Sequence, residues 1–108
     1  MFSINDKLEA VDIKNNNQVC VATVADMYGD KVLVHFDGWE DDYDYWCYYN
    51  SPHIHHVGWC QENLKTLSAP NGYSDPSKFT WEGYLSETGS RAAPADGFAP
   101  VCFVIKHL

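Results

Sequence analysis

The fold is decided by two neighbouring apolar stretches, VCVATVA at residues 19–25 and KVLVHFD at residues 31–37. The first is a short, nearly continuous apolar run, which is typical of a buried strand. The second alternates, with its valines and phenylalanine on one face, and this pattern predicts a strand with a buried face. Because a Gly-containing turn at residues 28–30 separates them, the two stretches predict a β-hairpin.

Further short strands are predicted on both sides of this hairpin. Residues 7–12 alternate with Leu8 and Ala10 on one face, and residues 44–49 are rich in β-favouring aromatic side chains. The three asparagines at 15–17 predict a turn, since Asn tolerates the left-handed conformation. Short strands separated by turn signals are typical of a small barrel or sandwich.

The character of the chain changes after the loop signal Ala-Pro-Asn-Gly at residues 69–72. Apolar residues then recur at helical spacing within residues 81–85, and Gly89 is well placed to end a helix. Thr80 or Ser77 is expected to cap the start of this helix. A helix of about ten residues is marginal alone, so it must pack on something.

Composition limits both the size and the partners of the protein. The 108 residues are enough for one domain, with 7 basic and 15 acidic residues giving a formal net charge of −8. A surface this acidic repels phosphate backbones and anionic lipid, so neither nucleic acid nor a membrane is an expected partner. The first residues lack the basic and apolar regions of a signal peptide, and none is expected.

The four cysteines, Cys20, Cys47, Cys60 and Cys102, include no Cys-x-x-Cys pair. Four is a sparse number for a small secreted domain held together by disulfides. We therefore expect reduced thiols in a cytosolic or nuclear protein.

Residues 36–46 form the densest functional candidate, with five aromatic side chains interleaved with five carboxylates. Aromatic faces attract cations, most strongly those that lose their water easily, such as a methylated ammonium. The alternative is that the rings pack in the core and the acids lie on a solvated loop. The acid spacing does not match an EF-hand calcium loop.

A second group of candidate residues consists of cysteines and histidines: Cys47, His53, His55, His56 and Cys60. Thiolates and imidazoles bind zinc, but this spacing matches no zinc finger, ribbon or knuckle. Cys47 or Cys60 beside a histidine would also suit a thiol nucleophile, yet no local signature or oxyanion element accompanies them. Structural roles are favoured, so we expect no metal, no cofactor and no catalysis.

Five motifs in order closely resemble the MBT (malignant brain tumour) repeat of chromatin proteins related to the lethal(3)malignant-brain-tumour family. They are KLEAVD at 7–12, VCVATV at 19–24, VHFDGW at 34–39, YDYWC at 43–47 and, after Ser51-Pro52, VGWC at 57–60. The resemblance covers about residues 7–70. It continues weakly through FTWEGYLSETG at 79–89, which looks like the family's helical arm motif.

The resemblance implies a mainly β fold, a small Tudor-like (SH3-like) barrel with a short helical arm. Residues 1–70 would be the barrel core, and residues 71–108 the helical arm and C-terminal extension. Family members carry repeats in tandem, whereas this chain holds one core. The chain is therefore either an excised repeat or one whose arm folds back onto its own core.

The implied function is non-catalytic binding of mono- and dimethyl-lysine on histone tails, linked to transcriptional repression in the nucleus. The implied partners are methylated histone tails or other methyl-lysine proteins, neighbouring MBT repeats and subunits of chromatin complexes. The alternative is a structural or protein-interaction repeat whose pocket is idle.

The family's pocket residues map onto this chain as Asp12, Asn15, Phe36, Trp39 and Tyr43. The three aromatic side chains would form walls for the methyl groups, and Asp12 would accept a hydrogen bond from the methylammonium N–H. Trimethyl-lysine has no N–H and is wider, while unmethylated lysine is strongly hydrated, so the lower methylation states are expected to bind best.

Overall fold

The computed structural model describes residues 1–15 and 17–99. Asn16 and residues 100–108, which include Cys102 and end the predicted C-terminal extension, lie outside the described residues. The six strands are β1 (Lys7–Asp12), β2 (Gln18–Tyr28), β3 (Lys31–Phe36), β4 (Tyr45–Tyr48), β5 (Ile54–His55) and β6 (Leu67–Ser68). The α-helices are α1 (Trp59–Glu62) and α2 (Trp81–Thr88), and single 3₁₀ turns cover Asp41–Tyr43, Pro76–Lys78 and Ala95–Gly97.

The strands form one curled sheet in the order β4-β3-β2-β1-β5, with antiparallel neighbours along this path. The short β6 adds to β2 in parallel. The predicted hairpin is confirmed, because β2 and β3 pair across a tight turn at Gly29 and Asp30. A shift of register between Val24 and Asp26 bends β2. The mainly β, Tudor-like barrel with a short helical arm is confirmed.

The core lies on the inner face of this curled sheet. Its side chains come mostly from β1, β2 and β3, as the alternation in the sequence predicts: they include Leu8, Ala10, Ala22, Val24, Val32, Val34 and Phe36. Tyr43 and Tyr45 pack against this cluster from outside β3. Burial of these apolar side chains is the main contribution to the stability of a fold of this size.

The arm follows the sheet and packs against it. Thr80 caps α2, its Oγ1 accepting a hydrogen bond from Gly83 N at 3.1 Å, and the helix ends at Gly89. Both features were predicted, whereas Ser77 belongs to the preceding 3₁₀ turn. The arm folds back onto its own core, and the division at residue 70 stays a prediction. No helix in the described part of the chain has the length and apolarity to cross a bilayer.

The arm also buries the polar face of β1. Lys7 and Glu9 alternate with the core residues of this strand, yet both are buried. The indole Nε1–H of Trp81 donates to Glu9 Oε2 at 2.7 Å. The hydroxyl of Tyr84 donates to Asp37 Oδ2 at 2.5 Å. The charged face of β1 is therefore part of the contact between sheet and arm.

Candidate functional site

A cavity of about 350 Å³ opens at the C-terminal end of β1. Its lining combines the end of β1, the start of β2, the loop after β3 and the segment that leads into the arm. The lining residues are Asp12, Gln18, Cys20, Trp39, the segment 67–73 and Pro76. Two of the five residues predicted from the sequence, Asp12 and Trp39, therefore lie in one cavity.

Asp12 is buried but retains hydrogen-bonding capacity. Asp12 is the last residue of β1 and is only 7% exposed. Among the described residues, its carboxylate accepts one hydrogen bond, from Lys14 N to Oδ1 at 3.2 Å. A carboxylate has about four acceptor positions. The remaining positions are available to a donor that enters the cavity.

The other buried carboxylates are more fully used by the protein. Glu9 accepts from Gly58 N, Cys60 N and the Trp81 indole at 2.7–2.9 Å. Asp37 accepts from Lys7, Thr23 and Tyr84, and Asp6 from Ser3 N and the Arg91 guanidinium. Asp12 is thus the buried acid with the fewest partners in the part of the chain that the structure describes.

The loop between β3 and β4, residues 37–44, is called the aromatic loop here because it carries Trp39 and Tyr43. Trp39 N donates to Phe36 O at 3.0 Å, and the loop then forms the 3₁₀ turn Asp41–Tyr43. The two rings meet nearly edge to face, with centroids 5.4 Å apart and planes at 64°. Lys14 Nζ donates to Asp42 O at 2.8 Å and ties the β1–β2 turn to this loop. Trp39 is 38% exposed, so part of its surface is open to a ligand.

The remaining predicted residues lie outside the cavity lining. Phe36 is 1% exposed in the core and packs against Tyr45, whose hydroxyl donates to Val11 O at 2.7 Å. Tyr43 reaches the cavity indirectly, through its contact with Trp39. Asn15 is exposed in the β1–β2 turn, where its N–H donates to Asp12 O at 3.1 Å.

Sequence reasoning missed Cys20 as a cavity residue. Gln18 pairs directly with Asp12 across the β1–β2 register, and Cys20 follows on the same face. The strand register that follows from a turn at residues 15–17 could have predicted that Cys20 lies near Asp12. Burial raises the pKa of the Cys20 thiol, and the charge of Asp12 raises it further. The thiol is therefore a neutral, weakly polar part of the lining.

The arm-side lining was also missed. The segment 67–73 lines the cavity, and it includes Asn71 and Tyr73. Asn71 N donates to Asp37 O at 3.1 Å, so this segment is fixed to the base of the aromatic loop. No local pattern in the sequence predicts this contact, since it joins residues more than thirty positions apart.

The described residues contain one group of three side chains close enough to share a metal ion: His35, Asp41 and Asp44. His35 Nδ1 lies 2.8 Å from Asp44 Oδ1, so a hydrogen bond already explains this proximity. The cysteines and histidines between residues 47 and 60 form no such group. His55 instead stacks on Trp59 at 3.6 Å, and His56 pairs with Glu62 at 3.2 Å.

Cys47 and Cys60 lie outside the cavity and are poor nucleophiles. Cys47 and Cys60 are free thiols. Burial raises the pKa of Cys60 to about 12, and the nearby Glu9 charge adds to the effect. Burial also raises the pKa of Cys47. Because the thiolate is the reactive form, these environments disfavour the thiol-nucleophile hypothesis.

Comparison with known proteins gives consistent matches. The family model of the mbt repeat matches residues 6–74, more than half of the chain. The chain is 57% identical over 97 residues to human lethal(3)malignant brain tumor-like protein 4 and to chicken lethal(3)malignant brain tumor-like protein 1. These alignments cover 90% of the chain but only 16% and 12% of the two relatives.

The fold also matches a solved structure, the four MBT repeats of Drosophila melanogaster Sfmbt in complex with the peptide RHR(me)KVLR. The TM-score is 0.84 at 36% identity, over 94% of this chain and 24% of that one. Sequence, fold and the order of the strand motifs agree, and the chain belongs to the MBT repeat family.

Proposed function

We propose that this chain is a methyl-lysine reader that binds mono- and dimethyl-lysine at a site of Asp12, Asn15, Phe36, Trp39 and Tyr43, of which Asp12 and Trp39 line the cavity. The observation that carries this proposal is the buried carboxylate of Asp12, which lines a cavity with Trp39 and keeps acceptor positions unused. The single hydrogen bond leaves acceptor positions of the Asp12 carboxylate available in the cavity, so a cationic donor is a chemical complement to this site.

The chemistry of the site fits a partly methylated ammonium. The methyl groups reduce hydration and pack on aromatic faces, where a desolvated cation gains about 2 kcal/mol or more. The remaining N–H donates to Asp12 in a charge-assisted hydrogen bond. Trimethyl-lysine cannot make this bond, and unmethylated lysine loses more hydration on entry. Mono- and dimethyl-lysine therefore satisfy both parts of the site.

Phe36, Tyr43 and Asn15 have supporting roles in this proposal. Tyr43 fixes the orientation of Trp39 through its edge-to-face contact, and Phe36, buried in the core at the end of β3, accepts the backbone hydrogen bond from Trp39 N. Asn15 holds the turn after Asp12 through its backbone N–H. In this arrangement the carboxylate ends strand β1, and Trp39 and Tyr43 lie on a loop that hydrogen bonds from Lys14 and Asn71 hold in place, as a site of fixed geometry requires.

The proposed partners are methylated histone tails or other methyl-lysine proteins. The net charge of −8 favours basic peptides, and the exposed acids next to Trp39 would attract them. The peptide in the Drosophila complex is itself rich in arginine. Membership of the family supports the proposal of a nuclear, chromatin-associated, non-catalytic role linked to transcriptional repression, with neighbouring repeats or chromatin complex subunits as further proposed partners.

The proposal is tested by NMR titration of the labelled protein with un-, mono-, di- and trimethyl-lysine peptides of one basic sequence. We expect saturable shifts of the Trp39 indole N–H for the mono- and dimethyl peptides. Trp39→Ala is expected to abolish binding. The matched control is Trp46→Ala, which removes a tryptophan of similar exposure, 46% against 38%, from the edge strand β4.

Three outcomes contradict the proposal. If no methylated peptide shifts the Trp39 resonance in a folded sample, the pocket is idle, and the chain is a structural or protein-interaction repeat. If Trp46→Ala weakens binding as much as Trp39→Ala, the binding site lies elsewhere. Equal affinity for all four peptides would show that the protein reads the flanking sequence rather than the methyl groups.

A further inference from the structure

We propose that Tyr84 of the arm helix α2 is a positioning residue for the cavity, acting through Asp37 at the base of the aromatic loop. The inference rests on the proposed function, because it concerns the same cavity. It adds that the arm is part of the binding unit, so arm docking and ligand affinity are coupled.

Asp37 lies at the start of the aromatic loop. It follows the last residue of β3 and precedes Trp39 by two residues. Its backbone N–H donates to Val21 O at 3.2 Å, which extends the β2–β3 pairing by one contact. Any shift of Asp37 therefore moves the start of the segment that carries Trp39.

Three side chains hold the Asp37 carboxylate in place. Lys7 Nζ and Thr23 Oγ1 approach it at 2.6 Å from β1 and β2, and Tyr84 donates its hydroxyl to Oδ2 at 2.5 Å. Burial raises the pKa of Tyr84, and the Asp37 interaction raises it further, so the hydroxyl remains a donor. Tyr84 is the arm's direct contribution to this cluster.

Asn71 connects Asp37 to the cavity wall. Asn71, which lines the cavity, donates its N–H to Asp37 O and its Nδ2 to Gly38 O, each at 3.1 Å. Gly38 has φ +83, and a Cβ there would lie 2.2 Å from the Asn71 carbonyl oxygen. Asp37 and Gly38 thus form a crowded junction at which arm, loop and cavity wall meet.

Loss of the Tyr84 hydroxyl tests this junction with little other change. Tyr84→Phe keeps the ring, which lies 5.3 Å from Lys7 Nζ and contacts Phe79 and Trp81. Lys7 and Thr23 still hold Asp37, so the fold is expected to persist. The junction loses its direct bond to the arm helix, and the loop and cavity wall gain freedom.

The experiment compares Tyr84→Phe with Trp81→Phe. Trp81→Phe also removes one hydrogen bond between arm and core, but its acceptor, Glu9, connects to Gly58 and Cys60 rather than to the aromatic loop. Dissociation constants for a dimethyl-lysine peptide and the Trp39 indole resonance of the free proteins are measured by NMR. Each variant's unfolding free energy is measured in parallel.

We expect Tyr84→Phe to weaken dimethyl-lysine binding roughly three- to tenfold and to shift or broaden the free Trp39 indole signal. Trp81→Phe is expected to leave the dissociation constant within about twofold even where it lowers stability as much. Unchanged affinity and an unchanged indole signal in Tyr84→Phe would overturn the proposal. So would equal weakening by both variants, which would indicate general destabilisation.

Failure of the proposed function is distinguishable from failure of this inference. If the wild-type protein binds no methylated peptide, the reader assignment fails. The Trp39 indole signal of the free Tyr84→Phe protein then decides the positioning role alone. A signal that moves in Tyr84→Phe and not in Trp81→Phe supports it, and a signal that stays in place overturns it.

Discussion

Glu9 and Asp12 are acids three positions apart on the same strand, and both are buried, at 1% and 7% exposure. Glu9 lies under the arm and accepts three hydrogen bonds from two parts of the chain, residues 58–60 and Trp81. Asp12 lies at the open end of the strand and accepts one within the described residues, from the neighbouring turn. One strand therefore presents one carboxylate with three protein partners and one with a single protein partner within the described residues.

The difference in hydrogen-bond partners separates a carboxylate that stabilises the fold, Glu9, from one that we propose to bind the ligand, Asp12. A buried carboxylate whose acceptors are filled by the protein fixes the relative positions of its donors, because losing it orphans each of them. A carboxylate with one protein partner orphans few donors when it is lost, so its removal costs less stability, and its other acceptor positions remain available to a ligand. We therefore expect substitutions at Glu9 to affect folding and substitutions at Asp12 to affect binding.

The largest expected effect is on the stability of Glu9→Ala. Removing this carboxylate leaves the N–H groups of Gly58, Cys60 and Trp81 without their acceptor, at a cost of about 3 kcal/mol or more in unfolding free energy. Asp12→Ala loses one hydrogen bond of 3.2 Å and should cost no more than about 1 kcal/mol. Urea denaturation followed by tryptophan fluorescence measures both.

Glu9→Gln provides the control for this comparison. It keeps a side-chain oxygen acceptor and nearly the same volume. Its unfolding free energy should therefore lie between that of the wild type and that of Glu9→Ala. Equal destabilisation by Glu9→Ala and Asp12→Ala would show that the two carboxylates are equivalent, and the distinction between them would be wrong.

A second effect, somewhat smaller, is expected at the junction between the two regions. Gly38→Ala places a methyl group against the Asn71 carbonyl at a left-handed φ, and we expect a loss of about 2 kcal/mol together with weaker peptide binding. Gly29→Ala has a similar positive φ in the β2–β3 turn, but no atom lies within 4 Å of the new Cβ.

Gly29→Ala should therefore cost only about 1 kcal/mol and leave peptide affinity unchanged. The pair separates backbone strain from collision, since both substitutions share the first and only Gly38→Ala has the second. If both variants lose the same stability and both bind normally, the contact between Asn71 and the loop does not shape the cavity.

A smaller, pH-dependent effect on stability is expected at His55, which pairs with Glu9 in the register of β1 and β5. Burial lowers the pKa of His55 from 6.5 to about 4, with its ring stacked on Trp59. The unfolded chain then binds more protons than the folded one between these two values. Stability should fall as pH decreases from 6.5 towards 4, and this contribution is fully present above 6.5.

His55→Phe isolates this contribution, because the variant retains an aromatic ring for Trp59 and does not titrate. The difference in thermal midpoint between wild type and His55→Phe should shrink or change sign as pH falls through that window. Parallel midpoints from pH 7 to pH 4 would mean that the ring is protonated equally well in both states.

The sequence predicted the elements whose signal is local. The β2–β3 hairpin follows from two apolar patterns around a Gly-containing turn, and the limits of α2 follow from Thr80 and Gly89. The strands β5 and β6 contain two residues each, too few for any periodicity to appear. Long-range contacts account for the rest.

The acid at position 9 illustrates that limit. Alternation along β1 predicts that Glu9 points away from the core, which is correct, but exposure does not follow, because Trp81, 72 positions later, covers it. The candidate cavity shows the same division. Asp12 and Trp39 were identified from motifs, whereas Cys20 and the segment 67–73 depend on strand register and on the path of the arm.

The most direct test of the central claim compares wild type with Asp12→Asn in binding to dimethyl- and trimethyl-lysine peptides by calorimetry. Asn keeps an oxygen for Lys14 N and nearly the same volume, but it removes the charge that the claim assigns to the ligand. We predict that the wild type binds the dimethyl peptide about tenfold or more tightly than the trimethyl peptide, and that this ratio falls to near one in a folded Asp12→Asn protein. A variant that retains both the affinity and the dimethyl preference of the wild type would contradict the account.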